Sequence, residues 1–232
     1  MKLNKWLLAG MMAGVLLAAG CSDDDDKNAG NSGNTPGTNT PGTQDEITVV
    51  DTANWIGAAC DCESSSADEC EMFGVPLPKP EGNGKIVGCD NVDISAINGG
   101  EKVCLRTIAG TATSVAPETY FPKGYCAISA IGCEGKKSIC DMVRYGDANA
   151  LTRCPAGSTL LESTFSFNIM GTSTVVITNK TCARNCKTDA DCNVDGEMTC
   201  IQHDKSKFCY NQKNLDMKDK DGQPIQTTAT PF

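Results

Sequence analysis

Fifteen cysteines in 232 residues limit what this chain can fold into more than any other feature. The first of them, Cys21, stands apart from the rest. Before it come basic Lys2 and Lys5, an apolar run from Trp6 to Ala19, and Gly20. A charged start, an apolar stretch and small residues in that order make a secretory leader, and the run is shorter than the ~20 apolar residues a spanning helix needs. Export puts the rest of the chain in an oxidising compartment, where an even set of cysteines forms a disulfide framework. Setting Cys21 aside leaves such a set: Cys60, Cys62, Cys70, Cys89, Cys104, Cys126, Cys133, Cys140, Cys154, Cys182, Cys186, Cys192, Cys200 and Cys209. They allow up to seven bridges and on the order of 10⁵ possible pairings, so spacing alone leaves the connectivity open. Each bridge closing a loop of about 15 residues stabilises by roughly 3 kcal/mol. That offsets a core poor in aromatic residues, which make up 5% of the chain.

Ala18-Ala19-Gly20-Cys21 resembles the lipobox of bacterial lipoproteins, with Ala18 where the commonest form has leucine. The resemblance covers the leader alone. It implies cleavage before Cys21, a diacylglycerol on its sulfur and usually a third, amide-linked acyl chain. At about 0.8 kcal/mol per buried methylene, two or more chains anchor a soluble domain stably. Residues 1–20 carry two of the chain's 20 basic residues and none of its 29 acidic ones, so the mature chain sets 18 against 29, a net −11. Such a surface repels phosphate, which argues against nucleic acid as a partner. The partners expected are the membrane, through acylated Cys21, and an envelope or extracellular protein or glycan.

Residues 21–46 hold the acylated cysteine and then an acidic tether rich in Gly, Thr and Pro, with no aliphatic residue larger than alanine and so nothing to pack. As a flexible coil it spans about 25–30 Å. The acidic run Asp23–Asp26 resembles the export signal that carries some Bacteroidota lipoproteins to the outer face of the outer membrane, and a solvated charge run accounts for it equally well. The expected location is the bacterial outer membrane, facing the cell exterior.

Residues 47–181 read as a cysteine-rich, β-containing domain, with a short strand at ITVV from Ile47. ADECEMF, 67–73, suits two helical turns stopped by Gly74. The loop 75–84, with three prolines and two glycines, suits an extended surface segment. Short strands suit KIVGC and VCLRTIAGTATSV. In SICDMVRY, Ile139, Met142 and Val143 share a helical face, Ser138 suits an N-cap and Gly146 a stop. The plainest pattern is LESTFSFNI, where Leu161, Phe165, Phe167 and Ile169 alternate with polar residues before a turn at Met170-Gly171 into STVVITN. That predicts a β-hairpin with one wet face. The fold class expected is mainly β (α+β): a small disulfide-rich ectodomain with short antiparallel strands and one or two short helices.

CKTDADCNVDGEMTC resembles the C-x-x-D-x-D-C modules of secreted and lipid-anchored myxobacterial proteins, and more distantly cysteine-rich modules of animal secreted proteins. The resemblance spans residues 182–210, within a module placed at 182–212, and implies a structural unit with no activity of its own. Its odd cysteine count sends at least one bridge out of the module, toward the hairpin or residues 126–154. Residues 213–232 have little to bury and read as a partly disordered tail.

Candidate chemistry is sparse. His203 is the chain's single histidine, beside Asp204, and no serine sits in a G-x-S-x-G elbow, so an exposed loop residue is its expected role. Asp189, Asp191, Asn193 and Asp195 alternate like the start of an EF-hand, but Val194 and Cys200 stand where that loop requires Gly and Glu. They are candidates for an irregular calcium site of low affinity, or for acidic turn residues capping local amides. Oxidised cysteines do not ligate zinc, and Cys60-Asp61-Cys62 lacks the βαβ surroundings of a redox dithiol, so no cofactor beyond that calcium is expected. The function expected is a non-enzymatic binding or structural role. The alternative is an exported hydrolase or carbohydrate-acting enzyme using carboxylates such as Glu118 and Glu162. A third possibility is an inhibitor or adhesin presenting the loop 75–84.

Overall fold

The computed structural model describes residues 56–110, 115–169, 173–219 and 221–231. In chain order they form β1 (Asp61–Glu63), β2 (Glu71–Met72), β3 (Val75–Pro76), β4 (Lys85–Val87), β5 (Glu101–Leu105), β6 (Tyr125–Glu134), α1 (Lys137–Val143), β7 (Ser158–Ile169), β8 (Ser173–Arg184), β9 (Thr199–His203), β10 (Ser206–Tyr210), α2 (Gln212–Leu215) and β11 (Thr227–Pro231). The leader, Cys21, the tether and the strand expected at Ile47 lie outside the described residues. The rest is mainly β, with two short helices, small antiparallel sheets and seven disulfides.

Alternating residues give the molecule its longest ladder. β7 and β8 pair without interruption from Ser158↔Arg184 to Ile169↔Ser173. Phe165 and Phe167 are half-buried while Thr164 and Ser166 are exposed, as the hairpin pattern predicts. The turn at Met170-Gly171 lies outside the described residues. Around this hairpin a five-stranded antiparallel sheet runs in the order β11-β7-β8-β6-β5. Directly paired residues share a face, so Ile128, Cys182 and Leu160 line one side. The rows Ile131, Asn179, Ser163 and Cys133, Ile177, Phe165 line the other. β6 is buried along nearly its whole length. A strand covered on both faces has no polar alternation, which is why the sequence pattern did not single it out.

The amino-terminal region is built differently. β1–β4 and β2–β3 are separate ribbons of two or three residues per strand, and ribbons of that size do not stand alone in water. Covalent ties hold them: Cys60–Cys104, Cys62–Cys70 and Cys89–Cys126. Cys104 and Cys126 face each other across β5 and β6, yet each bonds outward to a different loop. The segment 57–60 is thereby laid beside 123–126, joined by Gly57 N–H to Cys126 O and Cys60 N–H to Lys123 O. Gly124 sits at φ +66 in this contact, where a Cβ would collide with the Cys60 carbonyl oxygen.

Two expected helical features change. Residues 67–73 make one 3₁₀ turn, Ala67–Glu69, and then the β2–β3 hairpin, with Phe73 at φ 52 and Gly74 at φ 82 at its tip. Two successive positive φ values reverse the chain tightly, so Gly74 turns a hairpin where a helix stop was expected. At α1 the N-cap position falls on Lys136, with Ser138 inside the helix. Cys140 and Val143 are its buried residues, and Met142 is 40% exposed. The Cys133–Cys140 bridge ties the helix to β6 through Cys140 and so decides which face turns inward.

The carboxyl-terminal cysteines are continuous with the sheet. Cys182 belongs to β8 and bonds Cys154, the bridge expected to leave the module. Cys186–Cys200 and Cys192–Cys209 bracket the β9–β10 hairpin, where Cys200 and Cys209 again face each other and bond elsewhere. Tyr125 pins this hairpin to the sheet: its hydroxyl donates to Cys209 O at 3.0 Å and accepts from Arg184 N at 3.1 Å. Phe121, Tyr125, Tyr210 and Phe208 pack ring to ring around that contact. The tail expected to be partly disordered turns at Asp219–Gly222 and returns as β11, pairing β7 from Thr227↔Ser163 to Pro231↔Thr159. An edge strand gains its place from backbone hydrogen bonds, so it needs little apolar cargo.

Candidate functional site

The sheet face bearing Ile131, Asn179 and Ser163 forms the floor of a cavity of about 50 Å³. That is several times the 10–15 Å³ one water requires. Its walls come from four places: Gly74–Pro76 at the β2–β3 tip, Ala116–Phe121, Tyr145 after α1, and Tyr210, Asn214 and Met217 near the carboxyl end. The staples of the amino-terminal region and the aromatic cluster behind Tyr210 thus position it. Phe165, Ile177 and Leu105 make the lining mainly apolar, and no charged side chain is among the lining residues.

The polar groups of the lining divide into engaged and free. Asn214 is engaged at both ends of its amide, its Oδ1 accepting from Tyr120 N at 2.7 Å and its Nδ2 donating to Tyr120 O at 2.9 Å. Thr119 Oγ1 donates to Arg106 O at 2.6 Å. Burial pushes the Tyr145 hydroxyl up to about 12, against a hydrogen bond with Ser129 that lowers it. Asn179 Oδ1 accepts from the hydroxyls of Ser129 and Thr181, both at 3.3 Å. That leaves Asn179 Nδ2, Ser163 Oγ and the Tyr210 hydroxyl without a hydrogen-bond partner among the described residues. Ser163 is 6% and Tyr210 7% exposed. Burial, and then the neighbouring Tyr125, raise the Tyr210 pKa, so this hydroxyl stays protonated and able to donate.

None of the candidate catalytic or metal-ligating residues lines this cavity, whereas Val75 and Pro76 of the loop 75–84 and Phe165 of the patterned hairpin do. His203 ends β9, and its Nε2 lies 2.7 Å from Thr227 O, so it ties the β9–β10 hairpin to β11. Asp204 stands 3.8 Å away, and its Oδ2 accepts from Ala229 N at 3.2 Å. Among the four calcium candidates, Asp189 Oδ1 accepts from Cys200 N at 2.7 Å, and Asn193 Oδ1 from Gly196 N at 3.2 Å. Asp191 Oδ2 accepts from Lys187 N and Thr188 N, each at 2.8 Å. These amide bonds, that from Thr188 first, hold the Asp191 carboxyl below the usual range. Asp195 is exposed. Capping of local amides thus occupies three of the four side chains.

Glu118 and Glu162 do not meet across a groove. Glu162 lies on the even-numbered face of β7, opposite Lys180, whose ammonium is 3.6 Å away. Glu118 is exposed over the odd-numbered face, beside Phe165 and Phe167. Cys60 and Cys62 bond Cys104 and Cys70, so the C-x-C pair is structural. The sulfurs of Cys186, Cys192 and Cys209 lie within 4.8 Å of one another, but all three belong to disulfides. The loop 75–84 does not project: Leu77 N–H bonds Cys70 O and Glu81 N–H bonds Glu69 O, folding it back on the 3₁₀ turn.

The cavity was hidden from sequence reading because its polar members, Ser163, Asn179 and Tyr210, lie on three different strands. Only the facing of Ser163 and Asn179 across the predicted hairpin was accessible as a signal. Among the described residues, no helix is long and apolar enough to cross a membrane. Comparison of the chain with family models, with curated proteins and with solved structures finds no match.

Proposed function

We propose that this protein is a lipid-anchored component of a bacterial envelope, held at the outer membrane with its disulfide-stapled domain toward the cell exterior, and that its role there is binding or structural. The observation that supports this most is the cysteine ledger. All fourteen cysteines after Cys21 are paired within the folded domain. Cys21 is left with no partner thiol in the chain, directly behind an apolar leader, which is the position acylation requires. A fully closed framework also suits an oxidising compartment. The binding role draws on the uncharged cavity, and on Glu118 and Glu162 standing over opposite faces of β7. A partner protein or glycan of the envelope is the occupant this reading gives to the outer surface.

Intact-mass measurement of the membrane-extracted protein, alkylated before and after reduction, tests the reading. A mature chain beginning at acylated Cys21, unalkylated until reduction and then alkylated at the other cysteines, is the expected result. A mass without acyl chains, or thiols free in the native protein, overturns it.

A further inference from the structure

We propose that the cavity on the odd-numbered face of the central sheet binds the end of a small, uncharged amphiphile: an apolar ring or short branched chain carrying a hydroxyl or carbonyl group. The inference rests on the binding role proposed above, but not on the lipid anchor. Three observations carry it. First, the lining contains no charged side chain, in a chain whose formal net charge is −9, so an ionised ligand would lose its hydration with nothing to replace it. Second, the walls are apolar and the space, about 50 Å³, exceeds what one water needs and suits a few heavy atoms.

Third, the floor and one wall carry hydrogen-bonding groups that the protein leaves unused. Ser163 and Asn179 face each other across β7 and β8, and Tyr210 comes from β10. Ser163 and Tyr210 are more than nine-tenths buried. Neither hydroxyl is sealed from solvent, the fully buried unpartnered side-chain atoms among the described residues being Arg184 Nε and Ser206 Oγ, so each can pair with water or with a ligand entering the cavity. An apolar pocket with a few convergent polar groups is the general form of a small-molecule site. Tyr210 and Asn179 Nδ2 can donate to a carbonyl, and Ser163 can accept from a hydroxyl.

The full chain, with its disulfides intact and its methionine methyls ¹³C-labelled, is titrated with benzyl alcohol, toluene and benzoate while the Met217 methyl resonance is followed. Met217→Leu assigns that resonance. The expected result is a saturable shift with benzyl alcohol and none with benzoate. Tyr210→Phe, which keeps the ring, weakens benzyl alcohol about threefold to tenfold, the worth of one hydrogen bond, and leaves toluene unchanged. Ser163→Ala does the same and serves if the tyrosine variant fails to fold. The proposal is overturned if no probe moves Met217 saturably, which means the cavity holds water only. It is also overturned if benzoate binds as tightly as benzyl alcohol, or if both variants weaken toluene equally. Each of these failures leaves the intact mass at Cys21 untouched, so it is distinguishable from failure of the anchor.

Discussion

The β7–β8 hairpin and the segment from Ile56 to Cys89 solve the same problem by opposite means. The hairpin has twelve residues in each strand and an uninterrupted ladder, and one bridge, Cys154–Cys182, reaches it. In the segment no strand exceeds three residues, and three bridges involve its cysteines. Backbone pairing and side-chain burial hold the first, while restriction of the unfolded chain holds the second. The two regions should therefore answer to different insults, one to lost packing and the other to lost covalent ties.

Breaking the longest tie should have the largest effect. The double variant Cys60→Ala/Cys104→Ala opens a loop with a separation of 44 residues, which by loop entropy costs about 4 kcal/mol. Hydrogen exchange should show residues 57–89 deprotected while β7 and β8 keep their protection. If both regions lose protection together, the contrast between them fails. Ile177→Ala attacks the other side: Ile177 is 1% exposed on β8, and its truncation should cost about 3 kcal/mol in denaturant unfolding, with the hairpin deprotected first.

Gly124→Ala tests the junction of the two regions. The backbone strain and the collision with Cys60 O should cost roughly 2 kcal/mol, read as a lower thermal midpoint with all seven bridges still formed. The smallest effect concerns Asp191. Its folded pKa is depressed, so its contribution is complete above the unfolded value of about 3.9 and is lost as pH falls through the folded value. Because the group is only half-buried and solvent screens it, Asp191→Asn should flatten the acid limb of the stability profile below about pH 4 only slightly. The small deficit of the variant should be constant through neutral pH and fade in acid, and a change of slope near neutral pH would contradict the assignment of the carboxylate to the Lys187 and Thr188 amides.

Legibility in the sequence followed the same division. Phe165 and Phe167 alternate with exposed polar neighbours, so β7 and its partner were visible as a pattern of period two. β6 was not, because residues buried on both faces leave no alternation. The 67–73 segment misled because its composition suits a helix, whereas the Cys62–Cys70 bridge and positive φ at Phe73 and Gly74 fold it as a hairpin. Tertiary constraint outweighs a few tenths of a kcal/mol of local propensity. β11 escaped because an edge strand is fixed by hydrogen bonds to β7, which its Thr-rich sequence does not advertise. The calcium candidates were legible as acidic turn residues. The cavity was not, since it exists only once β6, β8, β10 and the β2–β3 tip have met.

The outward bonding of facing cysteines has one more consequence, which emerges when the molecule is considered as a covalent graph. Cys60–Cys104 and Cys89–Cys126 overlap, so a single peptide-bond cut anywhere between 60 and 126 leaves the two pieces joined. Cys154–Cys182 protects the stretch between its ends in the same way, and Cys186–Cys200 with Cys192–Cys209 protects 186–209. Between 126 and 133 and between 182 and 186 the graph has no such redundancy, but there the chain runs in β6 and from the end of β8. Between 140 and 154, equally unspanned, it passes through exposed residues such as Asp147 and Asn149, so a cut there would part the chain. A protease that nicks an exposed loop inside one of the bridged spans would split the chain on a reducing gel and leave the particle whole.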